Sequence, residues 1–272
     1  MEQERMRKRA LVTGASRGIG RGVALVLAED GYDLAISYCT KGADAQEVAR
    51  VIRQKHGRSC HVFQADLSQP AVPGGLVAEA AAALGGLDLL VNNAGFTMFD
   101  HQLGDDVSLI DRLIHVDFRA CLLAATAAAK LMMASKTPGS IVTITSSRAE
   151  RAYPQDAVYG GMKAAMRRAT ESLAIRYAPH GIRVNCVAPG ATVVSEEPWA
   201  RDFYGSLSRK IPLGRVGTPR DIGNAVSWIA SEKASYITGI TLRVDGGLIL
   251  PGMPELPVRD PDRGWGDIQE EG

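Results

Sequence analysis

Tyr159 and Lys163 stand four residues apart, a spacing that brings two side chains onto one face of a helix. A free phenol titrates near pH ~10, poorly matched to proton transfer at neutral pH, and an ammonium beside it stabilises the phenolate. Thirteen residues before Tyr159, Ser146 ends the apolar run Ile141-Val142-Thr143-Ile144, where its hydroxyl can hold a carbonyl oxygen; its neighbour Ser147 points elsewhere from the strand end. Such a set can steady a carbonyl oxygen as hydride arrives and then deliver a proton. A cradle for the nucleotide that carries a hydride stands at the other end of the chain. The strand-like Ala10-Leu11-Val12-Thr13 runs into Gly14-Ala15-Ser16-Arg17-Gly18-Ile19-Gly20, and an apolar helical stretch follows until Gly31. Gly14 permits a turn that a Cβ would obstruct, Gly18 lets backbone approach a pyrophosphate, and Gly20 allows close packing of helix on strand. The helix start then offers free N–H groups and a positive dipole end to phosphate.

These residues need a frame, and the hydrophobic pattern supplies one. Residues 34–38 and 61–64 read as strands and residues 44–55 and 72–84 as helices; further apolar strands fall at 87–91, 140–144, 182–188 and 240–244. Seven strands alternating with helices predict an α/β fold, a doubly wound, Rossmann-like parallel sheet covered on both faces, with ligands beyond the carboxyl ends of the strands. No internal linker interrupts the rhythm, so residues 1–272 are expected to form a single dinucleotide-binding and catalytic domain with its core at 8–250. Two regions depart from the rhythm. Residues 191–216, with Pro198, Trp199, Phe203 and Tyr204, interrupt the path from a strand to the helix near Pro219, and the proline-rich tail 251–272 carries Trp265.

With its preceding threonine, the spacing Gly-x-x-x-Gly-x-Gly resembles that of the short-chain dehydrogenase/reductase family. Asn92-Asn93-Ala94-Gly95 after an apolar strand, Ser146, Tyr159-x-x-x-Lys163, the run from Val184 to Pro189-Gly190, and Val244-Asp245-Gly246-Gly247 follow in the family's order. The resemblance implies an NAD(P)-dependent oxidoreductase in which Ser146, Tyr159, Lys163 and Asp117 are catalytic, Tyr159 also lies along the cofactor, and Lys163 also binds the nicotinamide ribose. It places Gly14, Ser16, Arg17, Gly18, Ile19, Gly20, Tyr38, Cys39, Asp66, Leu67, Asn93, Ala94, Gly95, Pro189, Gly190 and Thr192 along the cofactor, and makes 191–216 a substrate lid. Two positions differ from the family. Its usual asparagine before the serine strand is Asp117, in Val116-Asp117-Phe118, and its threonine four residues beyond Gly190 is Val194. Aspartate keeps the backbone carbonyl expected to hold a water leading from the lysine to solvent, but a carboxylate in a partly buried site is costly unless paired or protonated.

The cofactor expected is NADP(H), with NAD(H) second. The acid that would bind both ribose hydroxyls and repel a 2′-phosphate is replaced by Tyr38, and Arg17 resembles the basic residue that accompanies NADP in the family. The substrate is expected to be a small carbonyl or alcohol. Arg148 and Arg151 could face an anionic group or solvent. A ketone or 3-oxoacyl reductase, reversible as an alcohol dehydrogenase, is the leading reading. The alternatives are an NAD(P)-dependent sugar or polyol dehydrogenase and a weakly active nucleotide-sensing regulator. By resemblance, the helices around Cys121 to Met133 and Tyr159 to Tyr177 would pair subunits into a homotetramer.

Composition excludes little that the motifs require. A net charge of +1 gives no whole-molecule field for nucleic acid or an anionic membrane, and the basic run Arg5 to Arg9 is expected to be a solvated tail. No apolar run approaches the ~20 residues of a membrane span, since Lys130 interrupts the longest one. The four cysteines lack metal-binding or redox spacing and suit a reducing, cytoplasmic setting. His56, Cys60 and His61 lie close in sequence without a fourth ligand, so no metal is expected.

Overall fold

Seven parallel strands form one sheet in the order β3-β2-β1-β4-β5-β6-β7. The structure, a computed structural model, describes residues 8–97, 107–195 and 197–251. The strands are β1 (Arg9–Val12), β2 (Asp33–Tyr38), β3 (Cys60–Gln64), β4 (Leu89–Asn92), β5 (Gly139–Ile144), β6 (Ile182–Pro189) and β7 (Thr241–Val244). Between them run helices α1 (Gly18–Glu29), α2 (Gly42–His56), α3 (Val72–Leu84), α4 (Ser108–Leu113), α5 (Ala120–Ala134), α6 (Ala157–Tyr177), α7 (Pro198–Ser208) and α8 (Pro219–Ala230). Among the described residues no helix is long and apolar enough to cross a membrane.

Side chains alternate between the faces as a strand requires. On β1, Ala10 and Val12 join the core under α1, α2 and α8, while Leu11 joins the opposite core with α3 and α5. The central strands are buried on both faces and read as near-continuous apolar runs, while the edge strands β3 and β7 are only partly buried and carry His61, Gln64 and Arg243. The strand order reverses between β1 and β4, and the crevice beyond their carboxyl ends is where a doubly wound sheet takes its ligand.

Several boundaries move. Arg9 opens β1 instead of ending a solvated tail: its backbone N–H, Nε and Nη2 donate to the Asp88 carboxylate at 2.8, 2.9 and 2.9 Å. This contact fills residue 88, so β4 begins at Leu89, two residues later than the apolar run. The segment expected to be a lid is helical over α7, where the sequence shows only a long insertion. Residues 252–272, including Trp265, lie outside the described residues.

Candidate active site

Thr13 closes the end of β1 against the end of β4. Its Oγ1 accepts the backbone N–H groups of Asn93 and Ala94, both at 3.0 Å, while Asn93 Nδ2 donates to the carbonyls of Thr13 and Gly14 at 2.8 and 3.1 Å. This lattice draws the glycine turn onto the second loop so tightly that a Cβ on Gly14 would lie 2.8 Å from Ala94 Cα; Gly14 also sits at φ +65, where glycine is favoured. Past the turn, α1 begins behind an extended Arg17 with no side-chain cap, so no side chain of the N-cap residue takes up its first N–H groups. A cavity of about 580 Å³ opens here, lined by Ser16, Arg17, Gly18 and Arg21 on one side and Val193 and Val194 on the other. Three arginines, Arg17, Arg21 and Arg220, line it against two carboxylates, Asp44 and Glu47, and with the helix start and open space they suit a phosphate-bearing dinucleotide.

The other residues expected along a cofactor stand at or just past the ends of β2, β3 and β6. Tyr38 ends β2 and packs its ring on Gly42, where a Cβ would meet the phenolic oxygen at 3.1 Å. Cys39 is exposed, and its carbonyl accepts from Gln64 Nε2 at 3.1 Å. Asp66 Oδ1 accepts the Ser68 hydroxyl and N–H at 2.7 and 3.0 Å, bonds that hold its carboxyl below the usual range; Leu67 is buried beside it. Pro189 ends β6, Gly190 lies against Asp245, and Thr192 turns its hydroxyl back to the Gly190 carbonyl at 3.2 Å. Val194 lies over the glycine turn, its Cγ1 3.5 Å from where a Cβ on Gly18 would stand, and donates its N–H to the Tyr204 hydroxyl at 3.1 Å.

Lys163 and Asp117 form the charged centre. Between α4 and α5 the chain makes a π-helical turn, Ile114–Arg119, which carries Asp117 into the interior. Asp117 Oδ2 lies 2.8 Å from Lys163 Nζ, an oblique ion pair with both side chains buried. The ammonium also donates to the Ile144 carbonyl at 3.4 Å, two residues before Ser146, and sits 5.5 Å from the Tyr159 ring centroid. Burial opposes the lysine's charge, but the negative charge of Asp117 and the proximity of Tyr159 prevail, and the ammonium form persists well above its ordinary range. Asp117 Oδ1 accepts the Phe96 N–H at 3.2 Å, and a Cβ on Gly95 would lie 2.6 Å from Oδ2. One carboxylate thus joins the lysine helix to the loop after β4. The nearby Cys121 thiol is pushed up to about 12 by burial, so it stays protonated at neutral pH.

Ser146 is buried at the end of β5, and its Oγ accepts the Arg148 N–H at 3.2 Å, which leaves its own proton to donate. Ser147 is buried in the short 3-10 turn that follows. Arg148 pairs with Asp156 at 3.2 Å, and Arg151, which is exposed, donates to the Pro251 carbonyl at 2.8 Å. Among the described residues, no cluster of three potential metal ligands occurs.

A family model described as Enoyl-(Acyl carrier protein) reductase matches residues 14–249. The chain is 37% identical over 254 residues to the 3-oxoacyl-[acyl-carrier-protein] reductase FabG of Staphylococcus aureus, covering 90% of this chain and all of that one. It is a short-chain dehydrogenase/reductase. This short-chain dehydrogenase/reductase is also similar to Glucose 1-dehydrogenase 2 of Bacillus subtilis, at 34% identity over 247 residues, covering 89% and 95% of the two chains. Among solved structures it is similar to a blue fluorescent protein from a metagenomic library in complex with NADPH. The TM-score there is 0.81 at 32% identity, with 89% and 98% of the chains covered. Membership makes the chain an NAD(P)-dependent oxidoreductase acting on small molecules.

Sequence reasoning missed Asp156 altogether and left Arg148 between two roles. No local pattern joins them, because they meet only when the loop between β5 and α6 folds back. Thr13 is quoted only as part of a motif, although its hydroxyl holds two loops together.

Proposed function

We propose that the protein is an NADPH-dependent reductase that delivers hydride to a ketone or 3-oxoacyl substrate and runs in reverse as an alcohol dehydrogenase. The reading is carried by Lys163, whose ammonium donates to the Ile144 carbonyl two residues before Ser146 and sits 5.5 Å from the Tyr159 ring centroid. Bound NADPH supplies the hydride. The Ser146 hydroxyl, already accepting from Arg148, donates to the carbonyl oxygen, and Tyr159 gives that oxygen a proton. Lys163 holds positive charge beside the phenol, and residues 1–272 act as one unit in this chemistry. The pairing of Arg148 with Asp156 supports a substrate that is neutral at its reacting end. Steady-state rates with NADPH and NADH on panels of 3-oxoacyl thioesters, simple ketones and sugars test the reading. Fast oxidation of sugars without ketone reduction would instead support the polyol dehydrogenase that the Bacillus relative suggests.

The preference for NADPH rests on Arg17 at the cavity rim and on Tyr38 in the place of an acid. Arg17→Ala is expected to weaken NADPH binding by about tenfold or more while leaving NADH nearly unaffected, since a guanidinium matches phosphate geometry. Equal weakening of both, read by fluorescence titration, would remove the arginine from 2′-phosphate recognition.

Asp117 sets the pH range in this reading. Asp117→Asn removes the negative charge that favours the ammonium form of Lys163, so the lysine gives up its charge at lower pH in the variant. The alkaline limb of kcat for ketone reduction is expected to move to lower pH, by about one unit. The wild type therefore holds activity further into alkali. Superimposable profiles would show that the carboxylate's charge is not felt at the site, and a several-hundredfold gain in kcat would mark the wild-type chain as an impaired enzyme.

A homotetramer belongs to the same proposal. Leu123 and Leu131 on α5 and Ile175 on α6 are exposed and apolar, surface that a second copy would cover. Light scattering at micromolar concentration checks this, and a stable monomer would exclude it.

A further inference from the structure

Arg148 touches three pieces of the site at once. Its N–H donates to Ser146 Oγ at 3.2 Å, its guanidinium lies 3.2 Å from Asp156 Oδ2, and its carbonyl oxygen would stand 3.1 Å from a Cβ on Gly160, the neighbour of Tyr159. Asp156 immediately precedes α6, yet its carboxylate caps none of that helix's N–H groups. The side chain is 3% exposed, and neither oxygen has a hydrogen-bond partner among the described residues, so the charge of Arg148 is what compensates it. Tyr153 covers the other side of the guanidinium, 4.5 Å from its ring centroid. The turn that delivers Asp156 puts Gln155 at φ +59, a backbone conformation that persists only where its surroundings over-determine it.

We propose that the Arg148–Asp156 pair is a positioning clamp that fixes the Ser146 hydroxyl relative to the Tyr159 phenol. The inference rests on the reading of Ser146 and Tyr159 given above. Both groups must meet one carbonyl oxygen, yet one ends a strand and the other stands in the first turn of a helix, with an irregular loop between them. An ion pair with its carboxylate buried and its guanidinium partly exposed adds little stability that apolar side chains of similar volume would not also supply; what it adds is direction. Here the direction runs from the residue that orients the serine to the residue three before the tyrosine. The clamp residues touch neither substrate nor cofactor and act through Ser146 and Tyr159.

The experiment compares the full-length wild type with Asp156→Asn, Arg148→Met and the double variant Arg148→Met/Asp156→Leu, using NADPH and a 3-oxoacyl thioester as probes. Each is expected to lose on the order of 100-fold in kcat, the scale of a misplacement near 1 Å, while the NADPH dissociation constant stays at the wild-type value. If the single variants are unstable, the double variant decides, because it leaves no charge unpaired. A reduced kcat at wild-type Tm and NADPH affinity supports the clamp; full kcat in the folded double variant overturns it and makes the pair a purely structural one. Tyr159→Phe measured alongside separates the two readings. Retained turnover in that variant overturns the roles of Tyr159 and Ser146, and the clamp with them, whereas its loss together with wild-type kcat in all clamp variants overturns the clamp alone.

Discussion

Tyr159→Phe is expected to lower kcat for ketone reduction by about 10²- to 10⁴-fold, the range over which a positioned general acid contributes. The NADPH dissociation constant should stay nearly unchanged, because the lost hydroxyl does its work in the transition state. The ring remains, so its packing 5.5 Å from the Lys163 ammonium survives and the fold is undisturbed. Stopped-flow measurement of NADPH oxidation separates hydride transfer from binding. Turnover within threefold of wild type would take the proton-donor role away from Tyr159.

Lys163→Met is expected to fail twice over, in activity and in stability. The substitution leaves the Asp117 carboxylate buried without its cation, and breaking a buried pair from one side costs about 3–5 kcal/mol. Turnover should fall with it, because the charge beside the phenol is gone. The double variant Lys163→Met/Asp117→Asn should recover most of the stability and none of the activity, since it removes the stranded charge without restoring the ammonium. Denaturant melts and NADPH-linked rates on the same three preparations check both halves. The sign of the pH dependence follows from the raised lysine value. A cation whose affinity for its proton rises on folding contributes stability that is complete below its unfolded pKa and fades only as pH climbs through the folded one. The Lys163 contribution is therefore whole at neutral pH and is lost in strong alkali. Equal melting midpoints for wild type and Lys163→Met would show that Asp117 finds compensation elsewhere.

The sheet was legible because its central strands are buried on both sides, and near-continuous apolar runs such as Ile141 to Ile144 leave little choice of structure. The nucleotide cradle and the Tyr159–Lys163 face were legible for a different reason. Each is local, set by a few residues on one turn or one helix, so spacing alone carries the chemistry. Contacts made across the fold were not legible in this way. The proximity of Asp117 to Lys163 followed from the family resemblance, but its direct pairing and its bond to the Phe96 N–H depend on how a helix enters the sheet. Arg148 and Asp156 are separated by a turn whose path depends on Gln155 adopting a conformation rare for its residue type. α7 carries its start signal in Pro198, but in a segment rich in aromatic residues that periodicity alone does not mark as a helix.

The π-helical turn at Ile114–Arg119 has a consequence for which changes of length this chain can accept. A π turn is an α-helix carrying one residue more than its ladder needs, and each residue of a regular helix advances the chain by about 100°. Leu113 before the turn and Ala120, Ala124 and Ala128 after it all face inward, and Asp117 between them reaches the lysine. Deleting one residue here would let the backbone relax into an unbroken helix, but everything on one side would then swing by that angle. Either α4 would roll Leu113 out toward water or the carboxylate would leave the ammonium. Substitution can explore the positions of this segment other than Asp117, while its count is locked, so lineages that diverge in length must do so in the connections on either side of it.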